Sequence, residues 1–387
     1  MLIHSIRLSN LLSYGPEAEA LPLRPLNVLI GPNGSGKSNL IEAFALLQAA
    51  PKALAIPVRE AGGIHDWLYK GGDPKPVAEV ETIVDNPRGR MPLRHRFAFT
   101  ESASRFQLVD ERIENESAYP GTDEPYFYYR YQDNHPVLNV NGTPRTLKRE
   151  DVDPEQSILS QRKDPDQYPE ITYLGEVLSK IRIYREWGFG RSTTPRLPQK
   201  TDLPNDFLDP TGANLALVLN RLHKTRVVKE RIIEQLNALY HGIEDFDTSI
   251  EGGGAHVVLQ ESRGAIPATR LSDGTLRYLC LLAVLCHPTP PPLVCIEEPE
   301  LGLHPDILPG LAKLLVHASE QCQLVVTTHS DILVDAFTET PESVVVCERN
   351  SMGTALRRLE AAELKPWLEK YRLGTLWTRG DIGGTRW

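Results

Sequence analysis

The stretch LNVLIGPNGSGKSNLIEAF, Leu26–Phe44, decides the reading of this chain. It opens with an apolar run of strand character, passes through a glycine-rich turn that closes on Lys37 and Ser38, and continues at helical spacing. Gly31, Gly36, Lys37 and Ser38 fit the pattern GxxxxGKS. Glycine lets such a turn take positive φ and brings backbone N–H groups close to phosphate oxygens. A helix beginning near Lys37 directs its positive end at the same anions. Lys37 then reaches the β- and γ-phosphates, and the Ser38 hydroxyl ligates magnesium. The binding set is Gly31, Pro32, Asn33, Gly34, Ser35, Gly36, Lys37, Ser38 and Asn39. Kinases, GTPases and many ATPases share this pattern, so the rest of the chain must separate them.

At 387 residues the chain is long for one domain, and two or three are expected. Its apolar fraction of 41% and charged fraction of 24% are ordinary for a globular protein. No uncharged apolar run reaches the roughly 18 residues of a membrane span. The opening MLIHSIRLSN alternates like a strand and has no secretory core. A net charge of −9 argues against coating nucleic acid by bulk attraction and leaves local basic patches open. Cys280, Cys286, Cys295, Cys322 and Cys347 form no CxxC pair and sit in apolar runs, as buried free thiols of a reducing compartment do. A cytoplasmic protein without a membrane partner is expected.

From Val77 to about Asn141, alternating runs such as VAEVETIV and RHRFAFTE are broken by Gly, Pro and Asn, which predicts an antiparallel β lobe. Glu150 to Pro169 is polar and reads as surface loop. PTGANLALVLNRLHKT and RVVKERIIEQLNALYHGI space their apolar residues as two amphipathic helices do, and AHVVLQE reads as a strand. LVCIE and QLVVTT are continuously apolar, as parallel strands covered on both faces are. The prolines from Pro288 to Pro292 read as a rigid connector. The expected division is 1–148, with the phosphate loop and β lobe, then an inserted 149–261, then 262–387.

In LVCIEEPE, Glu297 and Glu298 directly follow a buried strand, a costly placement unless a cation or ligand sits there. Glu297 would hold the magnesium shell and Glu298 would polarise an attacking water. His329, at the end of QLVVTTHS, could touch a γ-phosphate. LSDGTLRYL places Ser272, Asp273 and Gly274 at the start of an apolar helix, a second anion site on the same chain.

GPNGSGKSN, LSDGT, CIEEPELGLHP and TTHSD, in this order, resemble the ABC-type ATPase heads of the SMC/RecF superfamily, and most resemble the small stand-alone RecF-like ATPases of bacteria. The likeness covers Met1–Asn141 and Ser262–Arg349. It implies an α/β P-loop NTPase of ABC head type, a mixed sheet core with an antiparallel β lobe and an inserted helical region. By the resemblance, Gly31–Ser38 is the Walker A loop, LSDGT the signature, Glu297 and Glu298 the Walker B end, PELGLH the D-loop and His329 the switch histidine. It further implies ATP and magnesium, and a homodimer in which the signature of one copy meets the γ-phosphate held by the other. The departures are Glu297 for the usual aspartate, Asp273 where the second glycine is common, His304 for the D-loop aspartate, and no convincing Q-loop glutamine, Gln48 coming too soon.

The span from Ser38 to Leu271 lacks a sustained heptad pattern, which excludes a long coiled-coil arm. The residues after His329 are too few for a Toprim nuclease, so any nuclease is a separate partner. The ending, with Trp377 and Trp387, reads as a packed cap or a docking strand. RIYREWGFGR is either a half-buried strand and turn or an arginine–aromatic surface that stacks on bases. RLHKTRVVKER is either a solvated helix face or a nucleic-acid contact. Two functions follow. One is an ATPase acting on DNA in repair, recombination or phage defence. The other is a slow ATP-dependent module that gates a partner effector without touching DNA.

Overall fold

The computed structural model describes residues 1–132, 135–140, 142–148, 152–185 and 187–385. The expected boundary at 149 and the terminal Trp387 lie outside them. The chain divides into two compact units, Met1–Ile181 with Val345–Leu359 and Ile382–Trp387, and Arg182–Val344 with Glu360–Asp381.

In the first unit an antiparallel sheet runs in the order Leu21–Pro22, Ile3–Ser9, Ala78–Val84, Leu93–Ser102, Arg105–Ala118, Pro125–Gln132, His135–Val140 and Thr143–Thr146. The period-two pattern predicted this lobe, and Val80, Phe97, Phe99, Phe106, Tyr129 and Leu138 fill its buried face. Ala103 and Ser104, both at positive φ, close the hairpin between Ser102 and Arg105, the backbone a two-residue turn demands even without glycine. The strand Leu26–Ile30 is wholly buried and lies beside Val344–Asn350, which pairs antiparallel with Gly353–Arg358. The helix Lys37–Ala49 follows the phosphate loop and buries Leu40, Ile41, Phe44 and Leu47.

The polar stretch before Pro169 is not all surface loop. Ser157 caps a short helix, Ile158–Gln161, whose Ile158 and Leu159 are buried. The reason is Glu111, fully buried on the lobe, whose carboxylate accepts from Ser157 Oγ, from Ile158 N at 2.8 Å and lies 3.3 Å from His95 Nε2.

In the second unit Leu293–Glu297 lies between Arg182–Tyr184 and Gln323–Thr327, all three parallel. The helices Asp273–Leu285 and Leu308–Ser319 belong to the same unit and bury most of their apolar residues. The expected helices appear as Leu215–His223 and Arg226–Leu239. Sequence reasoning missed the strand Ile243–Glu251, which pairs with Gly254–Glu261. Its run IEDFDTSIE is acidic outward and hides little beyond Ile243 and Phe246. Helix Leu373–Thr378 packs on Asp331–Asp335, with Gly374 N donating to Asp335 Oδ1 at 2.7 Å, so this part of the tail is a packed cap. The longest helix among the described residues, Arg226–Leu239, has 14 residues, too short for a coiled-coil arm. No helix of the described residues is long and apolar enough to cross a membrane.

Candidate active site

The phosphate loop belongs to the first unit. Gly31, Gly34 and Gly36 take φ of 150°, 79° and 102°. A Cβ on Gly36 would meet Thr354 Oγ1 at 2.3 Å, and one on Gly31 would meet the Cys347 carbonyl at 2.2 Å, so both positions require glycine twice over. Asn33, Gly34 and Ser38 are exposed, Pro32 and Asn39 half-buried, and Lys37 buried. Lys37 Nζ donates to the Gly31 and Pro32 carbonyls at 2.7 and 3.0 Å, which holds the ammonium inside the loop. Ser35 Oγ is buried without a hydrogen-bond partner, an orphaned polar atom of the kind a phosphate oxygen satisfies.

Residues outside the motif brace the loop. Tyr14 OH donates to the Gly36 carbonyl at 3.0 Å, and Asn39 Nδ2 to Ser13 Oγ at 2.7 Å. Thr354 Oγ1 lies 2.7 Å from Ser13 Oγ and 3.0 Å from the Ser35 carbonyl. Nothing in the sequence signals Thr354, which comes from a hairpin more than three hundred residues after the loop. Gln48 donates to the Ile181 carbonyl at 2.6 Å.

The acids, the histidine and the signature belong to the second unit. Glu297 ends the central parallel strand opposite Thr327 and stands 3.9 Å from Arg185 Nε. Glu298 takes φ of 46°, a left-handed conformation uncommon for a side-chain-bearing residue, and its N–H donates to Thr327 O at 3.1 Å. Its Oε1 is 3.5 Å from His329 Nε2, so the two candidate catalytic side chains meet. The His329 loop is ordered by Glu300, whose Oε1 accepts from His329 N at 2.8 Å and Thr328 Oγ1 at 2.6 Å. His304 caps its own turn through Asp306 N and stays exposed.

Ser272 caps the helix Asp273–Leu285 by accepting from Thr275 N at 3.0 Å. A Cβ on Gly274 would meet the Gly302 carbonyl at 2.6 Å, so signature and PELGLH loop touch closely. Arg277, on the same helix, reaches the Glu298 carbonyl at 3.5 Å and lies over the rings of Trp187 and Phe189. Burial pushes its guanidinium pKa down, against the pull of the nearby carboxylates.

The stacking reading of RIYREWGFGR fails. Tyr184, Trp187 and Phe189 are buried against one another, and their rings are not free to meet a base. In the second basic stretch Arg221 pairs with Asp206, Arg226 with Glu230, and Lys229 with Asp245.

Glycine-forced phosphate loop, strand-end carboxylates and capped signature are together the parts of a P-loop ATPase head. A family model described as "AAA domain, putative AbiEii toxin, Type IV TA system" matches residues 26–335. Over 71 residues the chain is 34% identical to the chromosome partition protein Smc of Rhodopirellula baltica, covering 18% of this chain and 6% of that protein. Over 94 residues it is 35% identical to the DNA replication and repair protein RecF of Limosilactobacillus fermentum, covering 24% and 22%. It thus matches under a quarter of either relative's length. Among solved structures, the Smc head domain with an extended coiled coil from Pyrococcus furiosus, bound to the C-terminal domain of ScpA, aligns with a TM-score of 0.60 at 15% identity, covering 95% of this chain and 98% of that one. An Smc head bound to the C-winged helix domain of ScpA aligns at 0.59 and 16%, covering 93% and 99%. At such identities the likeness speaks for the fold. The chain belongs to this AAA domain family and is an ABC-type ATPase of the SMC/RecF kind.

Proposed function

We propose that the chain binds ATP between two copies of itself and hydrolyses it to separate them. The observation that carries the reading is Glu298. It leaves a buried strand in a left-handed backbone that costs on the order of 1–3 kcal/mol, with its carboxylate turned to His329. In this reading Lys37 and the loop N–H groups hold the phosphates, Glu298 accepts a proton from the attacking water, and His329 senses the γ-phosphate. Ser272 and Gly274 present the helix start to the nucleotide of the other copy. The hydroxyl of Ser38 and the carboxylate of Glu297 are hard oxygen donors suited to magnesium. No cluster of three or more His, Cys, Asp or Glu that could hold a metal ion is found among the described residues. Magnesium supplies charge neutralisation at the phosphate oxygens.

Glu298→Gln should slow hydrolysis by about 10²–10⁴-fold, the worth of a positioned base, and leave an ATP-bound dimer. Light scattering of that variant with ATP and magnesium checks it, and a protein still monomeric at high concentration sinks the reading.

DNA is the proposed object of the cycle, in repair, recombination or defence, in the cytoplasm and with any nuclease as a separate chain. The matched family's description as a toxin of a toxin–antitoxin system agrees with defence. A second reading, a slow module that gates an effector without touching DNA, is favoured by the buried aromatics and acid-paired cations of the two basic stretches. DNA affinity that falls steeply with salt supports the first. No binding at any salt supports the second.

A further inference from the structure

Asp273 is the first residue of the signature helix, and the structure gives it a partner far away in sequence. Arg196 comes from the loop between Thr193 and Pro198, and its side chain is only 8% exposed, whereas that of Asp273 is 69% exposed. Its Nε donates to the Phe189 carbonyl at 2.8 Å, and its Nη1 to the carbonyls of Ala268 and Leu271 at 3.2 and 2.6 Å. Its Nη2 donates to Asp273 Oδ1. One buried guanidinium therefore ties together the turn before the signature, the residue preceding Ser272 and the first residue of the signature helix.

The electrostatics give this a consequence. A carboxylate at the first helical position is favoured by the helix's positive end. The same carboxylate stands beside the N–H groups that an incoming phosphate would use, and like charges within a few ångströms repel. A buried arginine also finds most of its satisfaction in fixed carbonyls, so its charge is held in place whether or not Asp273 stays paired. We infer that Arg196 is the positioning residue of the signature, holding the LSDGT loop in its presenting conformation and neutralising Asp273 so that the helix start accepts a phosphate from a second copy. This rests on the two-copy reading above.

The test uses the full chain carrying Glu298→Gln, with ATP and magnesium, and reads the protein concentration at half-pairing by light scattering. Adding Arg196→Ala should raise that concentration by about tenfold or more. Adding Asp273→Ala instead, a change on an exposed side chain, should lower it, because the arginine then faces the phosphate alone. Combining both should recover the part of the loss that the unneutralised carboxylate causes, and the penalty of Arg196→Ala should shrink as salt screens the charges. ATP binding by the monomer, measured with a fluorescent nucleotide, should stay unchanged in the Arg196→Ala protein. Pairing by the Arg196→Ala protein equal to its parent overturns the inference alone, as does a double variant no better than Arg196→Ala. If Arg196→Ala fails to fold, Asp273→Ala decides, and unchanged or weaker pairing by it overturns the inference. A Glu298→Gln parent that never pairs removes the two-copy reading, and this inference with it.

Discussion

Glu298 carries the sharpest tension between stability and chemistry. Its φ of 46° is cheap for glycine and costly for glutamate. Glu298→Gly should therefore hold or raise folding stability, by up to about 1 kcal/mol, while hydrolysis collapses. Thermal unfolding and phosphate release measured on one preparation check both halves, and a destabilised glycine variant would contradict the strain. Lys37 stands differently, because its ammonium already has carbonyl partners at 2.7 and 3.0 Å. Lys37→Ala should lose ATP binding with little loss of fold, as isothermal titration and circular dichroism would show.

Among the elements, the phosphate loop depends on a hairpin distant in sequence. Gly36→Ala would drive a methyl group into Thr354 Oγ1 and Ser13 Oγ and strain a backbone at φ 102°. The expected outcome is ATP affinity weakened by at least an order of magnitude, about 1.4 kcal/mol, read by titration. The Glu111 cluster is the corresponding device in the β lobe. It joins the strand Arg105–Ala118 to the cap of helix Ile158–Gln161 with every partner buried. Glu111→Ala leaves those donors without an acceptor and should cost about 3–5 kcal/mol in denaturant unfolding.

Across the whole molecule, buried titratable groups set chemical and pH behaviour. All five cysteines are free and buried, and burial pushes the thiols of Cys286, Cys322 and Cys347 up to about 12. Native protein at neutral pH should resist a thiol reagent, and all five should react once it is unfolded. His287, wedged by the proline connector with its Nδ1 accepting from Thr289 N, has its pKa pushed down by burial. A depressed imidazole is neutral when folded, so its stability is fully present above the unfolded value of about 6.5 and is lost as pH falls below it. His287→Gln should flatten the drop in urea midpoint as pH falls below about 6.5.

Much of the fold was legible because its signals are local. Glycine spacing around Lys37, alternation in VAEVETIV and continuous apolarity in LVCIE and QLVVTT each act within one element. The strand Ile243–Glu251 was hidden because acids on its outward face mask the alternation, and the helix Ile158–Gln161 because one buried carboxylate, not its own propensity, holds it. The sequence by itself determined where a phosphate loop, strand-end acids and a capped helix start must form, since backbone freedom and apolar periodicity decide those over a few residues. Only the tertiary structure decided that Glu298 turns left-handed toward His329, that Thr354 and Ser13 press on the phosphate loop, and that Arg196 holds Asp273. Those contacts join residues far apart in the chain, and no local spacing encodes which distant atom fills the remaining hydrogen bond.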